Sequence, residues 1–406
     1  MNLTDTPAEA AFRARVRLWL QSNAPEKGSP EDFSHGYGAL EGEAEERFLR
    51  QSRDWQAKLA DAGFAGLSWP KEYGGQGLST TEEIIFAEEQ SKFGVTTAVF
   101  DVAIRMIGPT IIAHATEEQK QRFLPPMLRG EEIWCQFYSE PLAGSDLASV
   151  RTTAVRDGDG WVVNGQKVWT SGATYCQWAM LLARTDAEVP KHKGLTCFFV
   201  DMALPGIDIR PLRQMTGSSH FNEEFFDDLR LPGGSEFGAV GNGWRVVLTT
   251  LTYERAIMGG GHKGPSFDEL RGLALAAPDQ PGSDRRRELI DVYIGERMLD
   301  LLDARVQSAL AHGRDPEMES SVKKIHHGRH ISRTTRLGLD LQGAAGMVTD
   351  GPMGDHWAYE ALNSPMYRIA GGTDEIQRNI LAGRILGVPA AAKRTSTITH
   401  AREGQS

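Results

Sequence analysis

The chain changes the spacing of its apolar residues twice, and this change limits the fold more than any other feature. Residues 1–130 carry apolar side chains at helical spacing, for example Phe12, Val16 and Leu20. From 131 to 238 the apolar residues alternate or form short β-rich runs between Gly, Asp and Pro. Helical spacing returns over 239–390. The pattern therefore predicts a helical domain, a β-domain and a second helical domain, followed by a disordered tail at 391–406.

Composition and charge exclude several classes of protein. With 40% apolar and 24% charged residues, the 406-residue chain resembles soluble globular proteins. Its net charge of -10 argues against a nucleic acid partner. No apolar run approaches the ~20 residues that span a bilayer, and the N-terminus lacks the apolar core of a signal peptide. Cys135, Cys176 and Cys197 have neither metal-ligand nor disulfide spacing. We expect a cytoplasmic protein with reduced thiols and no membrane partner.

Two short motifs in the β-rich part are suited to a flat, anionic ligand. The first reads YSEPLAGSD from Tyr138, and the second reads NGQKVWTSG and ends at Gly172. Glycine has no Cβ and serine has a short hydroxyl arm, so both allow a ligand to approach the backbone closely. Trp169 offers a broad apolar face. The alternative is a hairpin in which Asn and Gly serve only the turns.

These motifs, at this separation, resemble the flavin-binding signature of the acyl-CoA dehydrogenase family. The segment RIAGGTDEIQRNILAGRIL near the other end resembles a second family motif, and the resemblance covers nearly the whole chain. It implies an α+β multi-domain fold with a sandwich- or barrel-like β-domain and a C-terminal four-helix bundle. It also implies FAD bound between the β-domain and the C-terminal helices, in a site that a neighbouring subunit completes.

The resemblance implies a set of cofactor contacts. In the family, equivalent positions meet the isoalloxazine ring, its N5 atom and the remainder of FAD. The matching residues are Gln136, Tyr138, Ser139, Gly144, Ser145, Trp169, Thr170, Ser171, Gly343, Thr373, Asp374 and Glu375. Thr373 has a second interpretation as a helix N-cap. The chain departs from the family at Asp340, where glutamine is usual, and has no counterpart of the Arg-x-x-Phe motif that holds adenosine.

The catalytic base is not at its commonest family position, which Gly371 occupies here. On the helix WRVVLTTLTYERAIM, Val247, Leu251, Glu254 and Met258 share one face, so a carboxylate lies in an apolar stripe. Burial would bring its pKa towards the working pH of a general base. Isovaleryl-CoA and long-chain dehydrogenases resemble this arrangement, which implies that Glu254 is the base. The alternative is a structural ion pair with a distant Arg or Lys.

The resemblance also implies the substrate contacts. Gly371 would polarise the thioester carbonyl through its backbone N–H, while Ser145, Arg255 and Gly372 would contact acyl-CoA. Arg255 points about 100° away from the Glu254 stripe. His326 and His330 share a helix face as a metal pair would, but no acid or cysteine completes the set. We expect a solvated basic face there and no metal.

The resemblance implies FAD-dependent α,β-dehydrogenation of an acyl-CoA to a trans-2-enoyl-CoA. Electrons would pass to an electron-transfer flavoprotein, and the chain would form a homotetramer or homodimer. A flavin-dependent oxygenase or oxidase on the same fold is an alternative function. A non-catalytic subunit that supports an active partner in a mixed tetramer is another. The acyl chain, whether straight, branched or polycyclic as in steroid side chains, stays open.

Overall fold

The computed structural model describes residues 5–257, 264–276, 284–348 and 354–388. These residues form helical, β and helical parts in the predicted order. The expected disordered tail at 391–406 lies outside the described residues, as does Met258 of the predicted apolar stripe.

The N-terminal helices begin where the sequence offers capping residues. The Thr6 hydroxyl accepts a hydrogen bond from the Glu9 N–H while the Glu9 carboxylate accepts one from the Thr6 N–H, which is a capping box. Thr116 and Gln119 start the fifth helix in the same way. The five helices are α1 (Pro7–Asn23), α2 (Glu43–Asp61), α3 (Thr80–Gln90), α4 (Gly108–His114) and α5 (Glu117–Leu128).

The central part is one eight-stranded sheet. Its strands are β1 (Trp134–Phe137), β2 (Thr153–Asp157), β3 (Gly160–Ser171), β4 (Trp178–Arg184), β5 (Leu195–Asp201), β6 (Ile207–Leu212), β7 (Phe221–Leu231) and β8 (Glu236–Phe237). The spatial order is β6-β7-β3-β2-β4-β5-β8, and β1 pairs parallel to β4.

Both faces of this sheet are buried. Along β5, Phe199 belongs to the core shared with the N-terminal helices, whereas Phe198 belongs to a second core. The same alternation separates Leu182 from Leu181 on β4. Side chains alternate between the faces of a strand, so continuous apolar runs in β4 and β5 serve two cores.

The turn-only interpretation of the second motif is wrong for its Asn-Gly pair. Asn164 and Gly165 lie inside β3, where the register with β7 shifts. The Asn164 amide donates to the Asp228 carboxylate at 2.9 Å, and the Asp228 N–H donates back at 2.9 Å. Asp228 has a φ of 47°. The pair thus stabilises a bulge between two long strands.

The C-terminal helices surround one central helix. They are α6 (Gly243–Ile257), α7 (Phe267–Ala276), α8 (Arg285–Ala311), α9 (Glu317–Gln342), α10 (Gly354–Asn363) and α11 (Asp374–Ile380). Helix α9 packs against α6, α7, α8, α10 and α11.

The predicted solvated histidine face on α9 is wrong. His327 and His330 are each only 4% exposed, because neighbouring helices enclose α9 on several sides. Burial lowers the pKa of His330 to about 4, so its ring is neutral near pH 7. The described residues contain no group of three or more His, Cys, Asp or Glu side chains arranged for a metal ion.

Two further properties concern the described helices and the cysteine thiols. None of the described helices combines the length and the apolar character needed to cross a bilayer. The thiols of Cys135, Cys176 and Cys197 are buried and free.

Candidate active site

The two sequence motifs lie side by side. The first motif follows directly after β1, and the second lies in β3 and ends just after it. The Val168 N–H donates to the Ser139 carbonyl at 3.0 Å, and the Thr170 hydroxyl donates to the Gln136 carbonyl at 3.3 Å. Residues that are distant in sequence therefore form one connected surface.

A buried ion pair joins these two motifs. The Lys167 ammonium group, which is fully buried, donates to the Glu140 carboxylate and to the Tyr138 carbonyl, each at 2.9 Å. Burial alone would raise the pKa of Glu140, but Lys167 and the N–H groups of Arg151 and Thr152 lower it overall. Burial lowers the pKa of Lys167 to about 8, against the opposing effect of Glu140.

The second motif contains a strained backbone position. Trp169 has a φ of 69°, at a register shift between Val168 and Thr170. Bulky residues rarely adopt positive φ, and such strain costs roughly 1–3 kcal/mol. Its side chain is 59% exposed and meets Phe221 edge-on at 5.9 Å between ring centroids. The bulge thus turns a large aromatic face outward beside the buried Thr170 hydroxyl.

The turn of the first motif leaves open space. Glu140 and Ala143 exchange backbone hydrogen bonds of 3.1 and 3.0 Å, which tighten the chain before Gly144. A Cβ at Gly144 would meet no atom within 4 Å, and Gly144 and Ser145 are exposed. A ligand can therefore approach this backbone without displacing a side chain.

Glu254 lies on α6 as the helical pattern predicts. On the same face, Val247 is fully buried and Leu251 packs against the N-terminal core. Glu254 is half-buried, and burial raises its pKa to about 7, opposed by the adjacent Arg255. Among the described residues, no salt bridge involves Glu254. The structure therefore gives no support to the ion-pair alternative.

The first motif and α6 meet at a tyrosine. The Tyr138 hydroxyl lies 3.2 Å from the Met180 sulfur, and burial raises the pKa of Tyr138, with a smaller effect from the charge of Glu254. The hydroxyls of Thr250 and Thr110 lie 3.1 Å apart, and both residues are fully buried. Nothing in the sequence marks these two threonines, because hydroxyls inside helices carry no periodic signal.

Arg255 faces a different environment from Glu254. Its guanidinium donates to the Thr252 hydroxyl at 3.2 Å and is half-buried near Glu317 and Arg384. Burial lowers its pKa, although Glu317 and Glu254 oppose that effect. The two adjacent residues thus occupy different faces of α6, as the helical geometry predicts.

The C-terminal motif forms a glycine turn before α11. Gly371 and Gly372 have φ values of 66° and 87°, and the Gln377 amide donates to the Gly371 carbonyl at 2.9 Å. The Thr373 hydroxyl accepts from the Ile376 N–H at 3.2 Å, so the N-cap interpretation is confirmed.

The side chain of Asp374, the residue after this cap, points into the protein. Asp374 is 1% exposed and accepts from Arg368 at 3.1 Å, while the Lys324 ammonium group lies 3.6 Å away. Glu375 instead lies at the surface and accepts from Arg378 at 2.9 Å. Asp374 can therefore contact a ligand at this turn only through its backbone, because its side chain is buried.

Gly343 lies away from the glycine turn of the same chain. It follows the C-terminal end of α9 with a φ of 56°, and a Cβ at this position would meet no atom within 4 Å. Asp374 lies against Lys324, near the start of α9. At ~1.5 Å per residue, the 19 residues from Lys324 to Gly343 span about 28 Å. One chain therefore does not bring Gly343 to Gly371.

Several features of this surface are compatible with FAD, which offers an aromatic ring, carbonyl acceptors and phosphates. Trp169 provides an exposed ring and Gly144 an open backbone. The buried amide nitrogen of Gln136 has no hydrogen-bond partner among the described residues, and such unpaired groups are costly without a ligand or water. The residues present thus fit the cofactor that the sequence implies.

Family models match three consecutive parts of the chain. The acyl-CoA dehydrogenase N-terminal domain matches residues 31–131, the middle domain matches 135–229 and the C-terminal domain matches 241–386. Each model thus falls on one of the helical, β and helical parts described above.

Individual proteins are similar over nearly the whole chain. The acyl-CoA dehydrogenase IpdE1 of Mycobacterium tuberculosis is 41% identical over 393 residues, which cover 94% of this chain and 98% of that protein. A structure described as the Tcur3481-Tcur3483 steroid ACAD has a TM-score of 0.78 at 29% identity, covering 96% and 100% of the two chains. The ChsE4-ChsE5 complex from Mycobacterium tuberculosis has a TM-score of 0.76 at 28% identity, covering 96% and 100%.

Proposed function

The chain belongs to the acyl-CoA dehydrogenase family and is an oxidoreductase, and from this premise we propose how its residues divide the reaction. Glu254 is the general base that removes the proton α to the thioester carbonyl. The observation that carries this proposal is a half-buried carboxyl group with a pKa of about 7, on an apolar helix face beside Tyr138. A base is most effective when its pKa lies near the working pH.

Backbone and small side chains orient the substrate. We place the thioester carbonyl at the Gly371 N–H, where a positive-φ glycine turn is held by Gln377. A fixed backbone donor stabilises developing negative charge on the carbonyl oxygen. Ser145 and Gly372 contact the acyl-CoA, and Arg255 contributes a half-buried cation on the neighbouring face of α6.

The residues around the bulge hold FAD. Trp169 would lie against its ring, the Thr170 backbone and the Ser171 hydroxyl would hydrogen-bond to it, and Gly144 would allow its close approach. Gln136, Tyr138 and Ser139 line the ring edge. Gly343 and the turn at 373–375 contact the cofactor from opposite ends of α9, which requires two copies of the chain. FAD bound there would supply the acceptor for the β-hydrogen, which leaves as hydride.

The substrate class is a bulky acyl-CoA. The two similar structures described above include one named a steroid ACAD, and we extend that substrate class to this chain. Incubation of the purified protein with straight, branched and steroid-derived acyl-CoA thioesters, followed by loss of flavin absorbance, tests the proposal. Fastest bleaching by a short straight-chain thioester would contradict it. An electron-transfer flavoprotein is the proposed acceptor, tested by its reduction in the same assay.

Replacement of the base tests the mechanism directly. Glu254→Gln keeps the size of the side chain but cannot accept the α-proton. We expect FAD to remain bound, while the rate of flavin bleaching by acyl-CoA falls by about 10²- to 10⁴-fold, the usual contribution of a general base. Stopped-flow absorbance gives the rate, and the spectrum before mixing gives the FAD content.

Glu317→Gln is the matched control. It removes the same charge from a residue near the end of α6, where Glu317 interacts with Arg255 and Arg384. We expect this variant to bleach within about tenfold of the unmodified protein. Near-normal bleaching by Glu254→Gln would remove Glu254 from the mechanism.

A further inference from the structure

A second buried carboxyl group lies beneath the proposed flavin surface. Glu224 on β7 is fully buried, directly opposite Lys167 of β3 in the antiparallel register. One of its carboxyl oxygens lies 2.8 Å from the Thr170 hydroxyl. The other oxygen is buried and has no hydrogen-bond partner within the described part of the chain.

Lys167, directly opposite Glu224, favours its ionisation through its charge but makes its hydrogen bonds elsewhere. Lys167 gives its hydrogen bonds to Glu140 and to the Tyr138 carbonyl. Glu223 precedes it on β7 and opposes its ionisation, as does burial, which has the larger effect.

The remaining strands around Glu224 add no compensating charge. Ile209 of β6 stands opposite Glu224 and is apolar. From β1 the nearest titratable group is the buried Cys135 thiol, whose pKa is raised by burial and further by Glu224. Together these surroundings raise the pKa of Glu224 to about 7, so both protonation states occur near neutral pH.

The protonation state decides which way the Thr170 hydroxyl points. A protonated Glu224 donates to Thr170, which leaves the Thr170 proton free to donate to the Gln136 carbonyl at 3.3 Å. An ionised Glu224 can only accept, so it takes the Thr170 proton as a hydrogen-bond donor and the link to Gln136 is lost. That link joins β1 to β3 directly beside the strained Trp169 backbone.

We propose that Glu224 is a positioning residue that acts through the Thr170 hydroxyl to hold the Trp169–Ser171 bulge, and that its ionisation weakens FAD binding. This inference rests on the proposed flavin site but goes beyond it, since Glu224 does not itself contact the cofactor. The neutral carboxyl group stabilises the binding form of the bulge. The carboxylate withdraws the Thr170 proton from the Gln136 carbonyl, which weakens the link between β1 and β3.

Glu224→Gln tests the proposal because glutamine donates a hydrogen bond at every pH. In the FAD-loaded protein, we expect the FAD dissociation constant of the unmodified chain to rise about 2- to 10-fold between pH 5.5 and 8.5, the effect of about one hydrogen bond. The Glu224→Gln dissociation constant should stay near the low-pH value throughout. Recovery of FAD fluorescence on dilution of the loaded protein measures both.

Two further variants separate this role from a structural one. Glu223→Gln removes a neighbouring charge that opposes the ionisation of Glu224, so the pH dependence should keep its size and move to lower pH. Thr170→Val removes the hydroxyl, and in that background the Glu224→Gln change should no longer alter the pH profile. A purely structural role for Glu224 would change the melting temperature and leave the profiles parallel.

The outcomes distinguish this inference from the proposed function. Parallel pH profiles for the unmodified chain and Glu224→Gln, with FAD bound to both, would overturn the role of Glu224 alone. A purified chain that binds no FAD at any pH would overturn the proposed flavin site itself. A pH dependence that disappears only in Glu224→Gln and in Thr170→Val supports the inference.

Discussion

The chemistry of Glu254 follows from where one carboxyl group lies on α6. An aqueous glutamate is ionised at neutral pH and is a weak base, because its pKa is near 4.5. Val247 and Leu251 on the same face remove Glu254 from water, so its pKa rises to about 7. The adjacent Arg255 opposes the rise but does not cancel it. A single helical position thus supplies both reactivity and pH dependence.

Activity and stability should respond to pH in opposite directions because of this residue. The base must be ionised, so the bleaching rate should rise as pH increases through about 7. The folded pKa lies above the unfolded value of 4.5, so the stability that protonated Glu254 contributes is complete below pH 4.5. It is lost as pH rises through 7. Stopped-flow rates and melting temperatures from pH 5.5 to 8.5 measure the two effects.

Glu254→Gln provides the comparison for both measurements. Its melting temperature should exceed that of the unmodified chain by roughly 2–4 °C at pH 8.5, and the difference should shrink at pH 5.5. Rates that are flat between pH 6 and 8, or a difference in melting temperature that is largest at low pH, would contradict the assignment.

Among the structural elements, β1 and β3 depend on the buried Lys167–Glu140 pair. Removing one partner of a buried ion pair leaves an uncompensated charge and costs about 3–5 kcal/mol. We therefore expect Lys167→Met to lower the free energy of unfolding by about that amount and to reduce FAD content, because Lys167 also holds the Tyr138 carbonyl. Chemical denaturation and the flavin absorbance measure these two effects.

A surface ion pair in the same domain is the control. Lys191 donates to Asp146 at 2.6 Å, but both side chains are exposed to solvent, at 44% and 61%. Exposed pairs contribute about 0–1 kcal/mol, so Lys191→Met should change stability by less than that. Equal losses for the two variants would show that burial of Lys167–Glu140 has no special effect.

The sequence predicts individual helices and strands better than it predicts the contacts between them. The helical period located α1 and α6, because this signal is local. Alternation in FNEEFFDDLRL places Glu224 on the inward face with Phe226, yet its partner Thr170 is 54 residues away. Pairing between strands is not visible in one sequence, so the buried polar groups were missed.

The histidines of α9 show that contacts between helices are equally hard to predict from one sequence. A basic cluster normally indicates a solvated face, but His327 and His330 are buried because five other described helices pack against α9. The candidate base was accessible to sequence reasoning because Glu254 interrupts an apolar stripe on its own helix. A residue whose environment comes from distant segments carries no such local sign.

At the scale of the whole molecule, Gly343 is distant from the glycine turn, and our proposal that both contact one FAD therefore calls for more than one chain per site. Helix α8 also presents an apolar stripe to solvent, since Ile290, Ile294, Met298 and Leu301 follow helical spacing and are 45–60% exposed. Such stripes are typical of interfaces between subunits. Both observations favour an assembly, with a second copy of this chain as the first candidate partner.

The chain purified alone should therefore form a dimer or tetramer with about one FAD per chain. Gly343 from one copy and the turn at 373–375 from another would complete each site, so cofactor content should fall if the assembly is dissociated by dilution. Light scattering during size-exclusion chromatography gives the mass, and absorbance gives the FAD content. A stable monomer without flavin would instead indicate that a different chain completes the site, as in a mixed tetramer.

Flavin that, once reduced by acyl-CoA, reoxidises rapidly in air would favour an oxidase, because a dehydrogenase passes its electrons to a protein acceptor.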